Sequence, residues 1–148
     1  MSEKNYDPQM HTAEHILNQT MVRMFGSGRS FSNHLEKKKS KCDYHFTRPL
    51  SEQEVTQLQN KVNETISENR KVTEEYVLRS EAETAFNLSR LPEDAGDTIR
   101  IIKVDGYDAC PCIGPHVENT SEIGQVRIIS TDFTEGVLRI RFKLDRPE

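Results

Sequence analysis

The sequence predicts an α+β fold: an antiparallel sheet packed with helices, in a single two-layer domain spanning residues 1–148. Two stretches repeat apolar residues at helical spacing, five others alternate or run β-branched, and the length suits one domain with its own core.

The first helix is predicted from Asp7, a capping side chain, through Pro8 in the first turn, to a stop at Gly26 to Gly28. Met10, Ala13, Leu17, Met21 and Met24 form its buried stripe, and His11 and His15 lie beside that stripe, rotated toward Asn18 and Val22. Residues 26–41 read as a glycine- and serine-rich loop with a basic run, either a solvated hairpin or a phosphate-contacting patch of Arg29, Lys37, Lys38, Lys39 and Lys41. A strand follows over residues 42–46, with Cys42, Tyr44 and Phe46 on one face and His45 on the other.

Ser51 and Glu54 spell a capping box for a second helix, whose Val55, Leu58, Val62 and Ile66 face the core. Residues 72–79 read as a charged strand. Ser80 and Glu83 then suggest another capping box, for a short helix holding Ala85, Phe86 and Leu88, before a turn at 91–97. Thr98 to Val104 is a β-branched strand delivering the chain into a cysteine-bearing loop. Two last strands are expected at 125–131 and 137–144, all in one sheet.

Chemistry concentrates in two matched pairs. His11 and His15 sit four apart on a helix, so their Cβ atoms are roughly 6 Å apart on one face. Cys112 and His116 repeat the interval on a segment rich in proline and glycine, about a hundred residues later. One thiolate and three imidazoles form a ligand set suited to zinc. The alternative for the helix pair is two histidines at a core edge bonding carbonyls.

Composition narrows the class. Hydrophobic residues make up 34% and charged residues 30% of the chain. No window approaches the roughly 18 apolar residues of a membrane span, and Met1 to Asp7 lacks the apolar region of a signal peptide. A cytoplasmic protein with no membrane partner is expected. The net charge of −4 argues against a dedicated, tight nucleic-acid binder, and DNA is not an expected partner. Three cysteines, two of them only two residues apart, fit free thiols or metal ligands better than disulfides.

His11-Thr12-Ala13-Glu14-His15-Ile16-Leu17 resembles the HTAxHxL signature of the alanyl-tRNA synthetase editing domain and its free-standing relatives, the AlaX trans-editing proteins. Cys112-Ile113-Gly114-Pro115-His116-Val117-Glu118-Asn119-Thr120-Ser121-Glu122-Ile123-Gly124 resembles the second signature of that family. Tyr44-His45-Phe46, the Val62–Ile66 segment and the Asp97–Ile101 segment also match family segments, so the likeness runs over roughly residues 8–144. Gly114-Pro115-His116 departs from the usual Gly-Thr-His and is similar to the related second domain of threonyl-tRNA synthetase.

The resemblance implies a free-standing, zinc-dependent hydrolase that deacylates mischarged tRNA. Ser-tRNA(Ala) and Gly-tRNA(Ala) are its expected substrates, with Ser-tRNA(Thr), or a non-catalytic zinc- and tRNA-binding module, as alternatives. It implies His11, His15 and Cys112 as core zinc ligands, with His116 either the fourth ligand or a catalytic base. Cys110 falls outside the family interval. Thr12, Ser30 and Ser32 are candidate partners for the substrate hydroxyl, although a helical threonine also bonds its own helix and loop serines are common.

Overall fold

The computed structural model describes residues 7–86 and 97–146. Helix α1 spans Pro8–Phe25. The Asp7 carboxylate accepts from the Gln9 N–H, and Gly26 closes the helix in the left-handed conformation, so both predicted ends hold. Met10, Ala13, Leu17 and Met21 are buried together with Ile16, while Met24 only packs against the edge of that core.

The basic segment is not a plain loop, because it contains strand β1 (Ser32–His34), hairpinned to β2 (Ser40–His45). The predicted strand at 42–46 therefore starts two residues earlier. Helix α2 (Glu52–Ser67) carries the predicted capping box between Ser51 and Glu54 and buries Leu58, Val62 and Ile66.

Strand β3 (Val72–Leu78) runs directly into helix α3 (Arg79–Ala85). The expected Ser80–Glu83 box does not form. The helix already starts at Arg79, so Ser80 is helical and Leu78, which has no capping side chain, takes the cap position. Phe86 ends α3 in extended conformation; Leu88 and all of the predicted 91–97 turn except Asp97 lie outside the described residues.

Strands β4 (Thr98–Val104), β5 (Asp108–Pro111), β6 (Gln125–Thr134) and β7 (Val137–Asp145) complete the order, with a 3-10 turn at Thr120–Ile123. The expectation of one sheet is corrected: the strands form two antiparallel sheets, β1-β2-β7-β6 and β3-β4-β5. Residue alternation marks which face of a strand is buried but not which neighbour it pairs with, so partition between sheets is not encoded in any one strand.

Helices α1 and α2 bury their stripes with Cys42, Tyr44, Val126, Leu138, Ile140 and Phe142 from the four-stranded sheet. Helix α3 covers the smaller sheet through Ala82 with Ile99 and Ile101. Asn63 pins α2 to β6, donating to the Val126 carbonyl and accepting its N–H at 2.9 and 2.7 Å. Among the described residues, no helix is long and apolar enough to cross a membrane.

Gly124 begins the return into β6 at φ +88°, and a Cβ there would lie 2.1 Å from the Asp145 carbonyl oxygen. Gly136 has φ +84° but open space around it. Gly136→Ala should cost about 1–3 kcal/mol from backbone strain alone. Gly124→Ala should cost visibly more, because backbone atoms of β7 must also move. Urea titration of both variants checks this; equal midpoints would refute the close approach at Gly124.

Candidate metal centre

Helix α1 presents two stripes. One is the apolar face; the other is His11, Glu14, His15 and Asn18, spaced i, i+3, i+4, i+7. Opposite them β5 carries Asp108 and Cys110 at alternate positions, and Cys112 follows just past its end. The chain then turns through Gly114 and Pro115 to His116. Arg100 on β4 holds this turn, donating through Nη1 to the carbonyls of Gly114 and Cys112 at 2.7 and 3.2 Å, while the Cys112 N–H donates to the Arg100 carbonyl. Beyond the turn, the Thr120 hydroxyl donates to the Ile66 carbonyl and accepts the Arg70 N–H.

His11, His15, Cys112 and His116 converge, their ligand atoms all within 4.8 Å of one another. Cys112 Sγ lies 3.4 Å from His11 Nε2 and 3.3 Å from His116 Nε2. A tetrahedral ion with sulfur at about 2.3 Å and nitrogen at about 2.0 Å puts its S and N ligands about 3.5 Å apart. The observed edges match that spacing, and one thiolate with three imidazoles is a borderline-soft donor set. These residues fit a metal ion. Cys110, half-buried, is not among the four.

The imidazoles are aimed from behind. Thr12, fully buried, places Oγ1 2.9 Å from His116 Nδ1 and accepts the Val117 N–H, which turns His116 Nε2 toward the sulfur. Asp108 Oδ2 lies 3.6 Å from His15 Nδ1, slightly beyond hydrogen-bond range and close enough to orient the ring by charge. Arg29 clamps Asp108 at 2.7 and 3.3 Å, and Gln19 donates to it at 3.0 Å.

Burial would push the Cys112 thiol up, yet hydrogen bonds from His11, His116 and His15 bring it down to about 3. Burial and the neighbouring imidazoles lower His116 to about 4. His15 goes the other way: burial disfavours its charge, but Asp108 and Cys112 hold it well above its ordinary range. Burial raises Cys110, leaving it a neutral thiol beside the thiolate. Without metal, the centre pairs the Cys112 thiolate with a His15 proton that metal binding would displace.

The other expected site residues fall in different places. Ser30 is buried, its N–H donating to Asn18 Oδ1 two helical turns from the N-terminal histidine, whereas Ser32 is exposed on β1. Thr12 faces His116 and not open space. Lys37, Lys38 and Lys39 are exposed between β1 and β2, and Lys41 is half-buried on β2. Arg146 Nη2 bridges the Lys37 carbonyl and Asp7 at 2.5 Å each, which sets the lysine run beside the N-terminal end of α1. Arg29 does not join the lysines; it turns inward to Asp108.

Two residues at the centre are missing from the sequence-level set. Asp108 was traceable because it precedes Cys110 by two residues and Cys112 by four, and Glu14 through its place on the histidine stripe. Glu14 is buried, and its Oε2 accepts amide hydrogens from Asn18 and Asn33, the latter at 3.1 Å.

Residues 99–141 match the family model of the threonyl and alanyl tRNA synthetase second additional domain. The chain is 31% identical over 137 residues to the alanine–tRNA ligase of Methanococcus vannielii, 32% over 136 residues to that of Thermococcus kodakarensis, and 33% over 137 residues to that of Aeropyrum pernix. Each match covers 89% of this chain and 15% of the ligase, so the chain spans about 15% of the length of these relatives. Nearly the whole chain is thus similar to one stretch of alanine–tRNA ligase, and within it residues 99–141 match the second additional domain of threonyl and alanyl tRNA synthetases.

Proposed function

We propose that this chain is a zinc-dependent hydrolase that removes wrongly attached amino acids from tRNA, with Ser-tRNA(Ala) as its main substrate and Gly-tRNA(Ala) as a second. The observation that carries the reading is the convergence of His11, His15, Cys112 and His116 within 4.8 Å, in a chain similar to alanine–tRNA ligases. Zinc held by these four would supply Lewis-acid polarisation of the ester carbonyl.

The chain's own groups divide the rest of the work. Asp108, fixed by Arg29, orients His15; Thr12 orients His116. With Nδ1 against Thr12 and Nε2 turned to Cys112, we assign His116 as the fourth ligand, and the alternative role of base would be open to it only off the metal. Ser30 and Ser32 remain our partners for the serine hydroxyl, which a hydrogen-bonding pocket can select by up to ~10⁴-fold over the analogue lacking it. Lys37, Lys38, Lys39 and Lys41 would meet tRNA phosphates near the start of α1. Such an activity belongs with translation, and we assign the chain to the cytoplasm.

Purified chain should hold about one zinc ion. His15→Ala and Cys112→Ser should lower zinc content sharply, and Cys110→Ser should leave it unchanged. Full zinc retention in Cys112→Ser would move the sulfur ligand to another cysteine.

Charge reversal of Lys37, Lys38 and Lys39 together should weaken tRNA binding for all sequences alike and reduce its salt dependence. Unchanged binding at low salt would return this segment to a solvated hairpin.

Labelled serine should be released from preformed Ser-tRNA(Ala) at catalytic concentrations of the chain, while Ala-tRNA(Ala) and Thr-tRNA(Thr) persist. Ser-tRNA(Thr), run alongside, reads out the threonyl-type alternative suggested by Gly114-Pro115-His116. Zinc-loaded chain releasing serine from neither tRNA above the buffer rate would sink the hydrolase reading and favour a binding module.

A further inference from the structure

Two carboxylates flank the four converging ligands, and they are used differently. Asp108 is occupied: Arg29 and Gln19 take its oxygens, and His15 Nδ1 sits beside it. Glu14 engages its Oε2 with the amides of Asn18 and Asn33, while its Oε1 lies 3.9 Å from His15 Nε2, on the ligand side of that ring. The side chain is only 7% exposed. Once His15 is a metal ligand, its Nε2 offers Glu14 no proton. Oε1 then borders the centre as a buried anionic acceptor, an arrangement that favours an incoming cation.

The carboxylate is also rigidly set. Tyr44 on β2 donates its hydroxyl to Asn18 Oδ1 at 2.7 Å, the Ser30 N–H donates to the same oxygen, and Asn18 passes its amide to Glu14. Asn33 on β1 closes the frame from the other side. Such a buried network is stiff when its members are satisfied.

An aminoacyl ester brings one cation to this place. Its α-ammonium is two bonds from the carbonyl carbon that the centre must polarise. We propose that Glu14 Oε1 binds the α-ammonium of the substrate, making Glu14 the residue that selects aminoacyl esters over esters lacking a free amine. This inference rests on the ester-hydrolase reading above and adds the subsite that reading lacks.

The test uses the full zinc-loaded chain and two non-hydrolysable amides of 3′-aminoadenosine, titrated by calorimetry. One carries a seryl group; the other is identical except for an α-hydroxyl in place of the α-ammonium. A charge-assisted hydrogen bond predicts that the wild type prefers the seryl compound roughly ten- to hundredfold. Glu14→Gln, nearly isosteric, should shrink the preference to within about threefold, with zinc content and circular dichroism unchanged. Glu14→Asp, which keeps the charge one methylene further back, should fall between, and it reads the same preference should glutamine at this buried position impair folding.

Retention of the full preference in Glu14→Gln with zinc intact overturns the proposal, as does loss of zinc in that variant, which would place Glu14 among the ligands. A wild type that releases serine from Ser-tRNA yet shows no preference overturns the ammonium subsite alone. A wild type that binds neither compound and releases no serine overturns both the subsite and the hydrolase reading.

Discussion

One buried hydroxyl joins the two ends of this chain. Thr12 Oγ1 accepts the Val117 N–H and lies 2.9 Å from His116 Nδ1, across 104 residues of sequence. Without that tie, the histidine pair on α1 and the Cys112–His116 turn would be two unrelated surface features. With it, the register between helix and turn is set, and His116 is left with only Nε2 to offer the centre. A threonine can do this because its hydroxyl both donates and accepts, and because its branched Cβ has few rotamers within a helix.

The rest of the fold can be read as support for that tie. Helix α1 must bury one stripe in the core and present another to the ligands, and it does so because the two stripes are neighbouring, not opposed. The β5 strand brings Asp108 and Cys110 by simple alternation, Cys112 comes just past its end, and Arg100 fixes the turn that follows. Thr120 then anchors the chain to the end of α2 at the Ile66 carbonyl. Thr12 and Asp108 face the Nδ1 atoms of His116 and His15 from behind, which leaves the Nε2 atoms of both rings for the centre. That is the condition for tight metal binding by side chains from distant parts of a sequence.

Local signals in the sequence were reliable where the determining interaction is itself local. Asp7 with Pro8, Gly26, and the Ser51–Glu54 box state the bounds of α1 and α2 within a few residues of chain, and β4 is visible because five of its seven residues are β-branched. The meeting of His11, His15, Cys112 and His116 was legible because two matched four-residue intervals use four of the chain's eight cysteines and histidines. What failed depends on distant partners. Ser80 and Glu83 have the spacing of a capping box, but α3 begins earlier because β3 runs straight into it. The second sheet and the short β1 depend on pairing between strands, which no single stretch encodes. The spacing of Glu14 and Asp108 sets them beside the cluster in sequence, but only the fold turns both toward His15, and Arg29 looks like a member of a basic patch until Asp108 captures it.

The central claim is that one metal ion is held by one sulfur and three imidazole nitrogens drawn from both ends of the chain. X-ray absorption at the zinc edge on the metal-loaded protein tests it directly. The account predicts one sulfur at about 2.3 Å and three nitrogens at about 2.0 Å. Two sulfurs in the shell, which would bring Cys110 in beside Cys112, or a shell with no sulfur, would contradict it.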